Sequence, residues 1–388
     1  MKETINDIIT RSVDEGSTVG ADCMVIKDSN VLFSGAFGFA DREGSVPMTM
    51  DAVFRLFSLT KPVTAAAVMV LFDRGLLSPD QKLKDFFPEF SSPSCLNENQ
   101  QAVPCGTDIT IAHLLTMTSG IPYANSGNPS VDAAGRLFDA VIEGQENHQE
   151  LSTLDFCRKA GSIPLSFVPG EKWDYGISAD ILGGVVEKVS GMRYSRFLEE
   201  NIFAPLGMKD TGFYVPEEKI GRFTALYRWD DGKLVRDYGN YLGLTDYSAP
   251  PAFESGGAGL VSTIRDYSRF ACMLAGKGEF DGVRIISEKA FEYMTAPRLG
   301  QKQKSCLWPR LAGYNYGALL RVMTDVSSSE IKTCNGEFGW DGWTGTYFCA
   351  DPVNRIVVLY FTQIAGAGTT FQAAKISEAA YRCLSSDQ

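Results

Sequence analysis

Histidine is scarce in this sequence of 388 residues, which contains only His113 and His148. The Gly-x-Ser-x-Gly motif is absent as well, so a hydrolase built on a Ser-His-Asp triad has little support. Nine cysteines are present, but no two have Cys-x-x-Cys spacing, and we therefore predict no metal site. The cysteines are expected to be free thiols, and whether Cys95 pairs with Cys105 in their shared polar segment stays open.

Long apolar runs and an excess of positive charge are also missing. No segment approaches the roughly 18 apolar residues that cross a bilayer, and the acidic residues 1–9 contain no signal-peptide core. Lys and Arg number 36 against 47 Asp and Glu, which gives a formal charge of −11. This balance argues against nucleic acid and anionic membranes as partners and favours a neutral or weakly charged small substrate. Because neither a signal peptide nor a spanning run is found, the protein is expected in the cytoplasm. The oligomeric state is not predicted.

Glycine-rich stretches occur at residues 255–259 and 365–368. Neither fits a Walker or dinucleotide-binding pattern, so we interpret both as tight backbone passages and predict no cofactor.

The pattern of apolar residues predicts an α/β (α+β) fold. Hairpins are expected at residues 21–38 and 345–361, and these two ends of the chain should share one antiparallel sheet, flanked by an N-terminal helix and a C-terminal helix at 370–384. Between them the spacing predicts helices at 58–74, 110–117, 153–160, 179–190 and 194–202. We therefore expect residues 1–57 and 256–388 to form a sheet domain and residues 58–255 a mainly helical domain, with the active site between them.

A serine and a lysine stand three residues apart where the first of these helices begins. Positions i and i+3 share one helix face, so the Ser58 hydroxyl and the Lys61 amine can meet. A desolvated amine can take a proton from a serine hydroxyl and so produce a nucleophile. The spacing recurs at Ser329 and Lys332, but there it opens no apolar helix. The alternative is a core helix with an incidental Ser and Lys.

Tyr175 is the candidate proton shuttle, because it immediately precedes the helix at 179–190. It could do this work if nearby cations held its phenolate at a lowered pKa. One tyrosine among fifteen is weak support by itself. His113 has apolar neighbours and is expected to be a hydrogen-bonded structural residue, whereas His148 is expected to be solvated.

Several motifs in order along the chain resemble the serine β-lactamase-like superfamily: Ser58-Leu59-Thr60-Lys61, residues 109–122 (ITIAHLLTMTSGIP), 175–191, 203–208 and 339–346. The resemblance is to the class C β-lactamase and DD-peptidase branch, and within it to the family VIII carboxylesterases and related acyltransferases. It implies that Ser58 is the nucleophile, that Lys61 lowers its pKa, and that Tyr175 relays the proton to the leaving group. It further implies an oxyanion hole formed by the backbone N–H groups of Ser58 and Trp343.

The sequence departs from the lactamase pattern at two places. Ile177 replaces the asparagine of Tyr-x-Asn, and Trp340-Asp341-Gly342 replaces Lys-Thr-Gly, so a side-chain amide and a cation are missing. We expect Trp340, Gly342 and Ile177 to border the substrate, and whether Asp341 faces substrate or solvent stays open. These departures favour a carboxylesterase for small to medium acyl esters. An acyltransferase, a β-lactamase-like or DD-peptidase-like amide hydrolase, and a non-catalytic scaffold or binding protein stay open as alternatives.

Overall fold

The computed structural model of this protein describes residues 1–124, 127–244 and 247–385, with side chains up to residue 382 in the last helix. Its α-helices are α1 (Lys2–Asp14), α2 (Thr60–Asp73), α3 (Ile111–Leu115), α4 (Pro129–Glu146), α5 (Thr153–Ala160), α6 (Ser178–Ser190), α7 (Tyr194–Leu198), α8 (Ala204–Leu206), α9 (Ile264–Ala275), α10 (Glu288–Thr295), α11 (Gln301–Lys304) and α12 (Phe371–Ser385).

Its strands are β1 (Gly20–Lys27), β2 (Asn30–Asp41), β3 (Val46–Pro47), β4 (Phe54–Arg55), β5 (Ser94–Leu96), β6 (Ala102–Pro104), β7 (Tyr227–Asp230), β8 (Lys233–Arg236), β9 (Val261–Ser262), β10 (Glu279–Phe280), β11 (Val283–Arg284), β12 (Tyr314–Tyr316), β13 (Arg321–Met323), β14 (Phe338–Asp341), β15 (Tyr347–Asp351) and β16 (Ile356–Phe361).

One eight-stranded antiparallel sheet joins the two ends of the chain. Its strand order is β12-β13-β14-β15-β16-β1-β2-β3, so the N-terminal hairpin adds directly to the C-terminal one. Helices α1 and α12 cover one face, where Ile5 and Ile9 pack with Ile376. On the other face, Tyr267 of α9 contacts the rings of Phe348 and Phe361. The predicted fold class and the shared sheet are confirmed.

Helix α2 lies at the centre of the helical part, and every residue from Thr60 to Leu71 is buried. A helix that is apolar all round belongs in a core, which explains the Ala-rich run. The 3₁₀ turn Phe57–Leu59 precedes it, so Ser58 stands just before the α-helix rather than within it. No α-helix of the described residues is both long and apolar enough to cross a membrane.

Sequence reasoning did not predict helix α4, although its start carries two standard signals. Asn128 accepts hydrogen bonds from the backbone N–H groups of Ser130 and Val131, and Pro129 occupies the first helical position. Gly, Asn and Pro just before this point are typical of loops as well as of helix starts, so composition alone did not distinguish the two.

Candidate active site

Ser58 lies on a strained turn at the edge of a cleft. The preceding residue, Phe57, has φ of 45°, a left-handed value that costs energy in a residue with a bulky side chain. Its ring packs against Trp343 with 5.3 Å between ring centroids. This contact fixes the turn, and Ser58 is exposed to the cleft beside it.

Lys61 is fully buried and makes three hydrogen bonds through its amine. Nζ lies 3.2 Å from Oγ of Ser58, 3.0 Å from the Tyr123 hydroxyl and 2.8 Å from the carbonyl oxygen of Gly257. Burial lowers the pKa of Lys61 to about 7, although the carboxylates of Asp180 and Asp341 oppose this shift. The amine is therefore neutral in a large fraction of molecules near neutral pH.

The three contacts of Lys61 suit both of its protonation states. As an ammonium it donates to all three oxygens. As a neutral amine it keeps two protons for Gly257 and Tyr123, both of which can accept, and its lone pair then faces the Ser58 hydroxyl. This geometry allows Lys61 to take the proton of Ser58 without moving.

The Tyr175 hydroxyl completes the group around Ser58. It accepts a hydrogen bond from Nε1 of Trp340 at 3.1 Å, and its ring centroid lies 4.6 Å from Nζ of Lys61. Burial raises the pKa of Tyr175, and hydrogen bonds with Ser58 and Trp340 only partly oppose that effect. The condition considered in the sequence analysis, a phenolate held at a lowered pKa by nearby cations, is therefore not met, because burial has the larger effect. The Tyr175 hydroxyl is therefore protonated at neutral pH.

Tyr123 is a member of this site that sequence reasoning missed. It is the hydroxyl partner of Lys61 opposite Ser58, and its ring lies 5.6 Å from that of Tyr175. Burial, together with the nearby Asp180, raises its pKa, so the hydroxyl stays protonated. Its position immediately after the motif at 109–122 was the available signal.

The cleft beside Ser58 has a volume of about 720 Å³. Its walls include the aromatic side chains of Tyr123, Tyr175, Tyr241, Trp308, Trp340 and Trp343, beside polar residues such as Asp174 and Asn240. Trp340 and Trp343 thus both line the cleft that contains Ser58.

Two residues predicted to border the substrate do not line the cleft. Ile177 is fully buried in the core at the start of α6, because an apolar side chain gains more from the core than from an open cleft. Gly342 lies behind the wall, where a Cβ would come within 2.3 Å of the Leu56 carbonyl oxygen. The expectation that these two residues border the substrate therefore finds no support in the described lining of the cleft.

Asp341 faces the cleft and is paired. It is only 5% exposed, and Nη1 of Arg310 lies 3.1 Å and 3.3 Å from its two oxygens. The Arg310 guanidinium also lies over the Trp308 ring, 4.7 Å from its centroid. The lysine of Lys-Thr-Gly is absent, but Arg310, which the sequence did not indicate, brings another cation to the cleft wall. Asp341 neutralises the charge of that guanidinium.

The remaining candidates lie outside the cleft wall. His113 accepts a hydrogen bond at Nδ1 from the backbone N–H of Thr110, as expected of a structural residue, and His148 is exposed. In the second Ser-x-x-Lys copy, Nζ of Lys332 donates to backbone carbonyl groups, including that of Ser329. Among the residues with described side chains, no cluster of His, Cys, Asp and Glu could hold a metal ion.

Comparisons with known proteins agree with this geometry. A family model described as Beta-lactamase matches residues 5–381. Protein Rv1367c of Mycobacterium tuberculosis is 33% identical over 360 residues, which cover 90% of this chain and 87% of that protein. Esterase EstB of Burkholderia gladioli is 30% identical over 380 residues, which cover 94% of this chain and 91% of the esterase.

Among solved structures, the chain is similar to EstCE1, described as a hydrolase with promiscuous acyltransferase activity. The TM-score is 0.82 at 24% identity, and the match covers 98% of both chains. The family resemblance inferred from the sequence motifs is confirmed. Because the matched residues span nearly the whole chain, this protein belongs to the beta-lactamase family of serine hydrolases.

Proposed function

We propose that this protein is a carboxylesterase that cleaves esters of small to medium, uncharged acyl groups through an acyl-enzyme on Ser58. The observation that carries the proposal is the fully buried Lys61 amine 3.2 Å from the Ser58 hydroxyl, at the edge of an aromatic cleft. The name of the EstB relative supports an esterase in this branch of the family.

In the acylation step, neutral Lys61 takes the proton of Ser58, and Oγ forms a bond to the ester carbonyl carbon. The carbonyl oxygen becomes an oxyanion, for which the backbone N–H groups of Ser58 and Trp343 are the proposed donors. As the bond to the alkoxide breaks, Tyr175 gives that oxygen its proton and regains one from the Lys61 ammonium. The products are an alcohol and an ester of Ser58.

Deacylation repeats these transfers with water. Neutral Lys61 takes a proton from the water, and the water oxygen forms a bond to the acyl carbon. The bond to Oγ then breaks, and Ser58 recovers its proton. Ester and water thus give one alcohol and one carboxylic acid, with the enzyme unchanged.

The cleft walls support esters over lactams and peptides. The indole and phenol rings offer apolar area for an acyl or alcohol group. The two polar side chains that the lactamase pattern would place near a substrate amide and carboxylate are replaced, and the guanidinium of Arg310 is already paired with Asp341.

The test compares hydrolysis of p-nitrophenyl butyrate with that of nitrocefin by the purified protein. Ser58→Ala should abolish esterase activity, while Ser329→Ala, in the second Ser-x-x-Lys copy, should keep it. A fluorophosphonate probe followed by peptide mass spectrometry should label Ser58. Faster turnover of nitrocefin would overturn the preference for esters. A folded protein without label on Ser58 would favour a non-catalytic scaffold.

A further inference from the structure

Asp180 is a fully buried carboxylate for which the proposed mechanism has no use. It lies in the first turn of α6 and is 1% exposed. Burying a carboxylate costs free energy unless it is paired or hydrogen-bonded, so Asp180 is expected to have partners.

One oxygen of Asp180 fixes the segment that holds Lys61. Oδ1 accepts hydrogen bonds from the Ser255 hydroxyl at 2.5 Å and from the backbone N–H of Gly257 at 3.0 Å. The carbonyl group of the same Gly257 accepts the hydrogen bond from Lys61 at 2.8 Å. Asp180 therefore determines where this acceptor of the lysine lies.

The second oxygen of Asp180 lies on the same side of Gly257 as the Tyr123 hydroxyl and makes no hydrogen bond of its own within the described part of the chain. Oδ2 has no hydrogen-bond partner among the residues that the structure describes. A Cβ built on Gly257 would lie 2.6 Å from this oxygen and 2.8 Å from the Tyr123 hydroxyl, so the two oxygens flank one small space. Glycine at 257 keeps the carboxylate and the Lys61–Tyr123 pair close together.

We propose that Asp180 is a positioning residue, which holds the Gly257 carbonyl for Lys61 and, through its negative charge, sets the pH at which Lys61 becomes a base. This inference rests on the proposed function of the Ser58 site. Asp180 does not line the described cleft beside Ser58, so we infer that it acts through the lysine.

Burial raises the pKa of Asp180, while the Lys61 ammonium and the hydrogen bonds from Ser255 and Gly257 oppose that shift and favour the carboxylate. The neighbours of this carboxylate are mostly neutral. Burial raises the pKa of each nearby phenol and thiol, which keeps them uncharged at neutral pH. The titratable groups that face Lys61 or Asp180 are Tyr123, Tyr175, Tyr194, Cys157 and Asp341. Asp341 is paired with Arg310, so Asp180 is the main opponent of the lysine's desolvation.

Asp180→Asn separates charge from geometry. The asparagine oxygen can still accept from Ser255 and Gly257, but the negative charge is gone. Without it the Lys61 ammonium is less stable, so the lysine should lose its proton at lower pH. In a plot of rate against pH, the acid limb is the part where the rate rises as Lys61 loses its proton. We expect the midpoint of this limb to move down by about one pH unit.

The readout is the rate at which a fluorophosphonate labels Ser58 between pH 5 and 9, since labelling does not require ester turnover. At pH 6, the rate relative to its own plateau should be about fivefold higher in Asp180→Asn than in wild type. Asp266→Asn, a buried carboxylate on α9, is the matched control and should leave the limb unchanged. A merely structural role for Asp180 would lower the plateau without moving the limb.

Ser255→Ala provides a second variant should Asp180→Asn not fold. It removes one donor to the carboxylate, which raises the pKa of Asp180 and weakens its charge, so a smaller shift in the same direction is expected. An unmoved limb, or one at higher pH, in the folded variant overturns the role of Asp180. Absence of labelling in wild type would instead refute the proposed nucleophile.

Discussion

The indole nitrogen of Trp340 donates a hydrogen bond to the Tyr175 hydroxyl at 3.1 Å. Trp340 is thus both a wall of the cleft and a polar partner of the proposed proton donor. The centroid of its ring also lies 5.5 Å from that of the Tyr175 ring, so ring packing and the hydrogen bond both hold the phenol in position. These two contributions can be separated, because phenylalanine retains an aromatic ring but has no N–H.

Trp340→Phe should lower kcat by about five- to tenfold, the value of one hydrogen bond to a group that gains charge in the reaction. Trp308→Phe is the matched control, because Trp308 contacts the Tyr175 ring at 4.9 Å and no described hydrogen bond joins the two side chains. Steady-state kinetics with p-nitrophenyl butyrate measure both variants. Equal losses in the two would show that ring packing alone matters.

Tyr123→Phe should lower kcat/KM by about ten- to a hundredfold. The change removes the hydroxyl at 3.0 Å from Nζ of Lys61 and leaves a buried amine with one partner fewer. Tyr241→Phe serves as the control, since that hydroxyl binds Asp237 at 2.6 Å instead. If Tyr123→Phe retained full activity with an unchanged melting temperature, the lysine would not need its third hydrogen bond.

Ser58, Lys61 and Tyr175 could be found from the sequence because short-range spacing and ordered motifs identify them. Asp180 and Arg310 could not, because each reaches the site only through contacts with residues distant in sequence, and a lone Asp or Arg carries no pattern. Tyr123 directly follows the motif at 109–122, but that position alone does not show that its hydroxyl contacts Lys61. Ile177 shows the opposite failure. Its motif position suggested a side chain facing the substrate, but the apolar replacement turned into the core at the start of α6.

The pH dependence of kcat/KM should show an acid limb with its midpoint near 7. Burial lowers the pKa of Lys61 to about 7, and only the neutral amine can accept the Ser58 proton, so activity rises with pH through this value. At pH 6 the rate should be about one tenth of the plateau.

Deprotonation of a histidine would give a similar acid limb, so the control replaces both histidines of the chain. The double variant His113→Gln and His148→Gln should keep the same midpoint, since neither imidazole lines the described cleft. Loss of the limb in that folded variant would contradict the assignment to Lys61.

Asp341→Asn should change substrate preference more than stability. In wild type, Asp341 neutralises Arg310, so an ester with a free carboxylate gains little from the guanidinium. Removing the negative charge frees Arg310 to bind such a group. The ratio of kcat/KM for p-nitrophenyl hemisuccinate to that for p-nitrophenyl butyrate should rise about tenfold.

Asp174→Asn tests whether any lost negative charge in the cleft has this effect. Asp174 also lines the cleft, but no described ion pair joins it to Arg310. In this variant, the ratio of kcat/KM for p-nitrophenyl hemisuccinate to that for p-nitrophenyl butyrate should stay close to that of wild type. A similar rise in both variants would mean that the overall charge of the cleft, rather than Arg310, governs the preference.

Gly257→Ala should inactivate the enzyme even though only one methyl group is added. The new Cβ would lie 2.6 Å from Oδ2 of Asp180 and 2.8 Å from the Tyr123 hydroxyl, distances at which these groups must move. Because the Gly257 carbonyl also accepts from Lys61, any shift displaces the amine from Ser58, and displacements near 1 Å cost about a hundredfold in rate.

Gly221→Ala is the matched control for this change. Gly221 lies in a 3₁₀ turn with no heavy atom within 4 Å of an added Cβ, so activity and melting temperature should stay at wild-type values. Measuring kcat and thermal unfolding for both variants distinguishes a displaced lysine from general destabilisation. An active Gly257→Ala would mean that the backbone there yields without moving Lys61, and the tight coupling among Asp180, Gly257 and the lysine would then be wrong.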